Sequence, residues 1–415
     1  EGLQVQPSLE AIVMRALSKK ADDRFPDARA LLARIGLDEE LLFRRADAAF
    51  LVGREIDGTH RGLLAWGRFG APANSVPFPQ YWSRLKREAR AGRYDDYSFG
   101  AQLARQGRFI HPSADPKKLE ASFDYGYVLD QDDFLSLLLE RAAAAGVEEA
   151  LRAPDEAWLA IDTRPPAGDC RFEAWPDMPA RCTIEISRTE RAGANLSSSV
   201  AALTPVDLTV ETRSRSSCHL DKRHFQTEEG DRIGRLKAPW NGRSVALGKA
   251  SVRLAGVTSA GFMLFCRQLE LLASLLPADG MDVDIAAREF NRRAGRMADH
   301  LADHEALCLS LFSGGDAGGF VSPALRRRVE QFRSRGRVVT FDDDPVDEQD
   351  WITSMILGGL SMDRVSPLAA SAPLDAVEQS YEKLRQVIAR GVSQLPEQQV
   401  YLQHLLASGG ETHAV

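Results

Sequence analysis

The run from residue 234 to residue 276 constrains the fold most, because two kinds of secondary structure follow each other in it. SVALGKA (244–250) has the pattern of a strand that ends at Gly248 and continues into small residues. The apolar segment FMLFCRQLELLASLL (262–276) comes next, and its length predicts a buried helix that ends at Pro277. A strand that feeds a helix in this way is typical of α/β proteins.

Other segments have the pattern of strands. Apolar or alternating residues occur in WLAID (158–162), CTIEIS (182–187) and VDLTVET (206–212). A further strand is predicted for RVVTF (337–341), which follows a helical pattern. Strands interspersed with helices predict an α/β fold with a mixed sheet.

Helical patterns occupy most of the remaining chain. Residues 130–147 predict a helix that Asp130 or Asp132 caps. Residues 284–312 and 324–336 predict two further helices, so we expect the C-terminal region to be mainly helical.

Two segments show neither pattern. ANSVPFPQYW (73–82) and GRYDDYSFG (92–100) contain scattered proline, glycine and aromatic residues. We predict irregular structure for both.

Composition excludes several classes of protein. Lys and Arg number 52 against 59 Asp and Glu, and the resulting net charge of -7 argues against a nucleic-acid partner. No apolar run in the sequence is long enough to span a bilayer. Five widely spaced cysteines and the lack of a secretory leader at Glu1 predict reduced thiols and a cytoplasmic protein. A start at Glu1 rather than Met also predicts that the chain is a fragment.

The first 32 residues differ from the rest. SLEAIVMRALSKKADDRFPDARAL (8–31) has the pattern of two short packing helices broken at Pro26, and it resembles the last helices of bacterial Ser/Thr protein kinases. No Gly-rich loop, HRD or DFG sequence occurs, so kinase activity is excluded. We expect a helical segment over residues 1–32 and a separate domain over 33–415.

Three candidate metal ligands lie on one predicted helix. His300, His304 and Cys308 share a face, but residues eight apart are about 12 Å apart, too far to bind one ion directly. At most the two histidines could share a metal. Polar residues on an amphipathic helix are the favoured interpretation, and the run DDD (342–344) is interpreted as a solvated turn. We therefore assign no metal site.

The segment 234–265 resembles a known family. Pro239, Trp240, Asn241 and Gly242 correspond to its successive P-W and G-N elements. VALGKA (245–250) corresponds to V-A-I-G-x-A. This order resembles the flavin-dependent tryptophan halogenases, relatives of the single-component flavin monooxygenases.

Further stretches agree with this family in the same order. They are RIGLDEELLFRRADAAF (34–50), FDYGYVLDQDDFLSLLLERAAAAGV (123–147), REFNRRAGRMADHLADHEAL (288–307) and SPLAA (366–370). The resemblance implies a monooxygenase-like α/β domain, with a flavin-binding half at about 123–280 and a helical region at about 281–415.

The resemblance also implies a chemistry. Members of the family use FAD, oxygen and a halide on a small aromatic substrate such as tryptophan, and a flavin reductase is the implied partner. The positions implied to bind the cofactor are Trp240, Gly242, Ala246, Gly248, Ala250 and Asp162.

The departures from the family pattern concern its catalytic charges. The family's lysine aligns with Leu51 and its glutamate with Thr258, and neither residue can supply a charge. The G-x-G-x-x-G turn is absent, so we expect the first Rossmann βαβ unit to be missing. Two interpretations stay open. The chain is either a degenerate or truncated flavoprotein that does not halogenate and is therefore a pseudoenzyme, or a non-catalytic binding or scaffold protein that keeps the fold.

Overall fold

The computed structural model describes residues 37–147, 158–164, 172–190, 198–225, 230–258, 260–276, 282–316, 318–341 and 344–407. The predicted helices before residue 32 lie outside these ranges. The described residues also do not test whether the first βαβ unit is missing, so that stays a prediction. None of the helices within these ranges is both long and apolar enough to cross a membrane.

Fifteen strands lie in the described residues. They are β1 Ala49–Leu51, β2 Gly53–Asp57, β3 Arg61–Ala65, β4 Gly126–Val128, β5 Ala160–Asp162, β6 Phe172–Glu173, β7 Arg181–Glu190, β8 Ser198–Leu203, β9 Asp207–Arg213, β10 Ser217–His224, β11 Asp231–Arg232, β12 Gly234–Leu236, β13 Trp240–Asn241, β14 Ser244–Ala246 and β15 Val252–Arg253. The predictions over 182–187 and 206–212 are confirmed as β7 and β9.

Eleven α-helices accompany these strands in the described residues. They are α1 Glu39–Arg45, α2 Phe78–Arg87, α3 Phe99–Gln106, α4 Gln131–Ala144, α5 Ala260–Leu275, α6 Val283–Phe312, α7 Pro323–Arg335, α8 Glu348–Leu357, α9 Pro367–Ser371, α10 Leu374–Ser393 and α11 Gln398–Ala407. Asp130 caps α4 by accepting from the amides of Asp132 and Asp133, as predicted.

The largest sheet has seven strands in the order β11-β7-β10-β9-β8-β2-β3. All neighbours are antiparallel except β2 and β8, which run parallel with Gly53 opposite Ser198 and Ile56 opposite Ala201. The predicted α/β class with a mixed sheet is confirmed. A smaller sheet, β13-β14-β5, contains a second parallel pair.

Helix α6 organises the C-terminal region. Its 30 residues begin after the cap Asp282 and pack against α5, α7 and α8. One face is buried along the helix and is mainly apolar, with Phe290, Leu301 and Phe312 fully buried. This long buried face explains why the sequence pattern alone was enough to predict the helix.

The predictions of irregular structure at 73–82 and 92–100 hold only in part, because residues 73–77 and 92–98 contain neither α-helix nor strand, whereas α-helices begin at Phe78 and Phe99. Helix α2 begins at Phe78, because Pro77 and Pro79 occupy the cap and the first turn, where a helix needs no amide donor. Ser98 accepts from the Ala101 amide and starts α3.

The predicted strand at 337–341 is also wrong. The amide of Val338 donates to the carboxylate of Glu348 at 3.1 Å, and that of Val339 donates to the Gln331 side chain at 3.2 Å. These backbone amides, which a strand would donate to a neighbouring strand, donate to side chains instead. The β-branched residues of this segment therefore did not indicate a strand.

Candidate functional site

Leu51, which the sequence analysis aligns with the family lysine, lies at the end of β1. Leu51 pairs with Gly126 of β4, and its side chain is almost completely buried. A leucine side chain cannot hydrogen-bond or carry charge, so it supplies no polar group to a reaction there.

An aromatic cluster packs beside this strand. The ring of Phe50 stacks on Phe109 with centroids 3.8 Å apart, and Tyr125, Tyr127 and His111 pack edge-on or tilted against it. The buried carboxylate of Glu39 in α1 accepts from both tyrosine hydroxyls, at 2.8 and 2.6 Å, and contacts the imidazole Nε2 at 2.9 Å. The cluster joins α1 and β4 to the segment that follows α3.

Arg54 connects the Leu51 segment to the loop that carries Thr258. Three residues after Leu51, its guanidinium donates to the carbonyls of Gly256 and Val257 at 3.1 and 3.0 Å. Nε donates to Ser199 Oγ of β8 at 3.0 Å. Strand β2 and the loop that precedes Thr258, more than 200 residues apart in sequence, are therefore joined through a single side chain.

Glu305 of α6 holds the same loop from the other side. Its carboxylate is fully buried and accepts from the Gly256 amide at 2.6 Å. The other carboxylate oxygen accepts from both the amide and the hydroxyl of Thr258, at 2.9 and 2.8 Å. A negative charge thus lies next to position 258, but it comes from a helix and both of its oxygens are occupied.

Two guanidinium groups complete this network. Burial lowers the pKa of Arg54 to about 10, while the nearby charge of Glu305 acts in the opposite direction. Arg223 pairs with Asp221 and donates to the carbonyl of Ala255 at 2.7 Å. Gly256 has a φ of +84°, and a Cβ there would lie 2.4 Å from the Arg223 guanidinium, so only glycine fits. Residues 254–258 are consequently fixed by opposite charges on both sides.

A cavity of about 370 Å³ lies beside Trp66. Trp66, Gly67, Arg68, Asp124, Asp347, Gln349 and Asp350 line it. The Trp66 amide donates to the carbonyl of Val52 at 3.0 Å. A Cβ on Gly126, the strand partner of Leu51, would lie 3.2 Å from the Trp66 ring. Trp66 thus lines the cavity and its indole lies next to β4.

Carboxyl groups dominate the wall of this cavity. Burial, followed by the charges of Asp347 and Asp124, raises the pKa of Asp350 to about 7. Burial and the charge of Asp347 also raise the pKa of Asp124. Asp347 caps α8 by accepting from the Asp350 amide at 2.8 Å.

The predicted cofactor residues meet around the small sheet. Asp162 of β5 lies opposite Ala246 of β14, and the Leu247 amide donates to the Asp162 carbonyl at 2.9 Å. Strand β5 ends at Asp162 and β14 at Ala246, two residues before Gly248. Such a carboxyl edge is where ligands bind in open α/β sheets.

The backbone of the Gly248 turn does not fit a phosphate. Its amide donates to the side chain of Gln268 at 2.7 Å, and the amides of Ala250 and Ser251 donate back into the turn at 3.1 and 3.0 Å. The sequence predicted free amides at a helix N-terminus here, but α5 begins only at Ala260. These three donors are already used, so they offer no cradle for a pyrophosphate.

The remaining predicted positions are held by protein contacts. Buried Trp240 exchanges two backbone hydrogen bonds with the side chain of Asn291, at 2.7 and 2.8 Å, and donates from its indole to the Gly242 carbonyl. Gly242 has a φ of +56° and open space where a side chain would lie. The structure thus places the predicted residues together without assigning them a ligand.

The candidate metal ligands have protein partners as well. His304 is buried, lies 2.9 Å from the Ser354 hydroxyl, and burial lowers its pKa to about 4. His300 pairs with Asp344. Within the residues that the structure describes, no group of three or more His, Cys, Asp or Glu side chains could hold a metal ion.

Sequence reasoning missed both Arg54 and Glu305. Glu305 lies four residues after Leu301 and seven before Phe312, on the apolar face of α6. An acidic residue in such a face was the signal that a buried partner existed. The partner itself depends on tertiary structure and has no local signature.

Solved structures with a similar fold define the class of protein. BrvH, a flavin-dependent halogenase from Brevundimonas sp. BAL3, matches with a TM-score of 0.78 and 20% identity over 91% of this chain and 90% of its own. A flavin-dependent halogenase from Xanthomonas campestris matches with a TM-score of 0.77 and 18% identity over 96% and 95%. A tryptophan 6-halogenase from Streptomyces toxytricini matches with a TM-score of 0.73 and 16% identity over 91% and 90%. The fold is that of the flavin-dependent halogenases.

Sequence comparison adds the family. The family model described as tryptophan halogenase matches residues 23–157 and 193–374, which together are more than half of the chain. This protein therefore belongs to the tryptophan halogenase family. No curated protein matched the sequence.

Proposed function

We propose that this chain keeps the halogenase fold and an aromatic-sized cavity but does not transfer halogen through a lysine and a glutamate. The observation that carries the proposal is the closed contact at position 258. Both donors of Thr258 are bound to the fully buried Glu305 carboxylate. Leu51 supplies no ammonium, so neither charge expected at a halogenating centre is available to a substrate.

Halogenation assays test this proposal directly. The chain would be supplied with FAD, NADH, a flavin reductase, chloride or bromide, and an indole substrate, and products would be analysed by mass spectrometry. We expect no halogenated product, with BrvH as the positive control for the reagents. Halogenation by the unaltered chain would overturn the proposal.

Restoring the family charges provides a matched comparison. The double variant Leu51→Lys with Thr258→Glu is expected to stay inactive unless FAD binds, because the charges act only on a halogen species that the flavin generates. Leu51→Met with Thr258→Ser is the control that changes the same positions without adding charge. Activity of the charged variant without bound flavin would contradict this reasoning.

A flavin-binding experiment distinguishes the two forms of the proposal. In one form the chain is a flavoprotein that depends on a flavin reductase; in the other it is a binding protein without flavin. The second is favoured by the Gly248 turn, whose amide is already bound to Gln268. After incubation with FAD and desalting, we expect no visible flavin absorbance beyond that of a carrier protein. Stoichiometric retained flavin would restore the flavoprotein form.

A further inference from the structure

Helix α5 is apolar on two opposite sides, but the structure buries only one of them. The helix packs against α6, and Leu264 and Leu271 are among its buried residues. The sequence predicts a buried helix over 262–276, yet Phe262 is 70% exposed, Leu269 is 40% exposed and Leu276, directly after the helix, is 42% exposed. The prediction of burial is therefore right for one side of α5 and wrong for the other.

The exposed apolar residues of α5 form one continuous surface, which we call the α5 stripe. Phe262, Leu269 and Leu276 recur every seven residues, so they lie on one face of the helix. Phe265 and Ala273 are partly exposed and lie between them, and the rings of Phe262 and Phe265 have centroids 6.3 Å apart. An apolar repeat of seven residues with a second apolar position in each repeat is typical of a helix that packs along another helix.

The size of the α5 stripe indicates the strength of the association that it can support. From the exposure of its members, its side chains present roughly 350 Å² of apolar surface, and monomeric proteins rarely expose a larger patch than a few hundred Å². Two copies that face each other through the stripe and its flanking residues would bury roughly 900 Å² in total. That area is below the ~1,200 Å² of a standard interface, so it corresponds to a weak dimer.

The charges beside the α5 stripe are complementary to those of a second copy. Arg267 and Glu270 are the two charged residues of α5, and they pair with each other at 3.4 Å outside the stripe. If two copies of α5 run antiparallel around Leu269, Arg267 of each copy lies within one residue of the level of Glu270 of the other, on the same side of the contact. A parallel arrangement would bring like charges to the same level, which is unfavourable.

The shapes of the side chains favour the same antiparallel arrangement. Phe262 lies at the level of Leu276 of the second copy, and the large ring of Phe265 lies at the level of the small Ala273. Leu269 meets its own equivalent, as a two-fold axis through the centre of a self-complementary contact requires. The stripe is therefore complementary to itself in shape as well as in charge.

We propose that the α5 stripe is a weak homodimer interface, in which α5 of one copy packs antiparallel to α5 of a second copy around Leu269. The contact covers the side of α5 that the fold of one copy leaves exposed. Association of this kind requires neither flavin nor substrate, so it goes beyond the proposed function and does not depend on it.

Sedimentation velocity of the unaltered chain tests the association. The chain would be measured from ~1 to ~200 µM, and we expect the sedimentation coefficient to rise from that of a monomer to that of a dimer over tens of micromolar. A monomer at every concentration would overturn the proposal and would leave the stripe to another segment of this chain or to a different polypeptide.

A charged residue at the centre of the stripe tests where the contact lies. In Leu269→Glu two carboxylates would meet at the two-fold axis, and we expect the dissociation constant to rise at least about tenfold. The control is Leu139→Glu on α4, which places the same substitution at a leucine that is 56% exposed and lies outside the stripe. Dimerisation that survives in Leu269→Glu, or that Leu139→Glu weakens equally, would contradict the proposal.

Mixing two variants tests whether Leu269 meets its own equivalent. Leu269→Glu and Leu269→Lys should each be monomeric alone, and an equimolar mixture should dimerise again because opposite charges then face each other. Circular dichroism checks that both variants are folded. A mixture of folded variants that stays monomeric would overturn the antiparallel contact at Leu269, and the concentration series on the unaltered chain remains decisive if a variant does not fold.

Discussion

Thr258 donates two hydrogen bonds to a carboxylate that belongs to a helix rather than to its own loop. Burying the charge of Glu305 is costly, and the cost is offset by three donors and by the nearby Arg54. At the scale of single residues, the site is therefore a structural charge network. Its function is to fix the backbone of residues 254–258.

Removing the charge of Glu305 should destabilise the protein. In Glu305→Gln the amide keeps the shape of the side chain, but the desolvated guanidinium of Arg54 loses the nearby negative charge. The NH2 group of the glutamine also replaces a carboxylate oxygen, so a donor faces a donor of the 256–258 loop. We expect the free energy of unfolding to fall by about 2 kcal/mol. Urea denaturation measures this change.

A control and a second variant make this test specific. Glu330→Gln on the exposed side of α7 should change stability by less than about 0.5 kcal/mol. Combining Glu305→Gln with Arg54→Met should cost less than the sum of the two single changes, because each removes the charge that the other needs. Strict additivity would show that the two charges do not interact.

At the scale of elements, the Glu39 carboxylate joins separate parts of the fold. Glu39 lies in the first turn of α1, its tyrosine donors lie on or beside β4, and its histidine partner contacts the Tyr401 hydroxyl of α11 at 2.5 Å. Burial by itself raises the pKa of Glu39, but the hydrogen bond and charge of His111 and the hydrogen bonds of Tyr127 and Tyr125 outweigh it and lower the pKa.

This lowered pKa predicts how stability depends on pH. The ionised carboxylate stabilises the folded state fully above the unfolded pKa of about 4.3, and that contribution is lost as the pH falls through the folded value. Glu39→Gln should therefore be less stable than the parent at neutral pH by about 2 kcal/mol, with the difference shrinking below about pH 4. Thermal unfolding at several pH values checks this, and a constant difference would argue against the mechanism.

At the scale of the whole molecule, sequence patterns predicted what is locally encoded. Strands β7 and β9 and helices α4 and α6 have a periodicity that fixes their type. Helix α2 was missed because its prolines were interpreted as breakers, although Pro77 and Pro79 lie where a helix tolerates them. The strand predicted at 337–341 fails because long-range side chains use its amides.

The candidate site shows the same difference between features that the local sequence predicts and features that depend on tertiary structure. The sequence predicted that Leu51 and Thr258 lie where the family has charged residues, and this stays a prediction. The sequence could not identify Arg54 or Glu305, since their contacts span 203 and 47 residues of sequence. The acidic cavity likewise combines a turn after β3 with the start of α8, and no local pattern predicts that meeting.

The parallel pairing of β2 with β8 has a consequence for the order of folding. Strands β8, β9 and β10 are successive hairpins and can form from neighbouring residues. Strand β2 can join them only after a loop of well over a hundred residues has closed, which is slow. Arg54 lies on β2, so we expect its contacts with the Thr258 loop to form among the last steps, on a sheet that has already assembled.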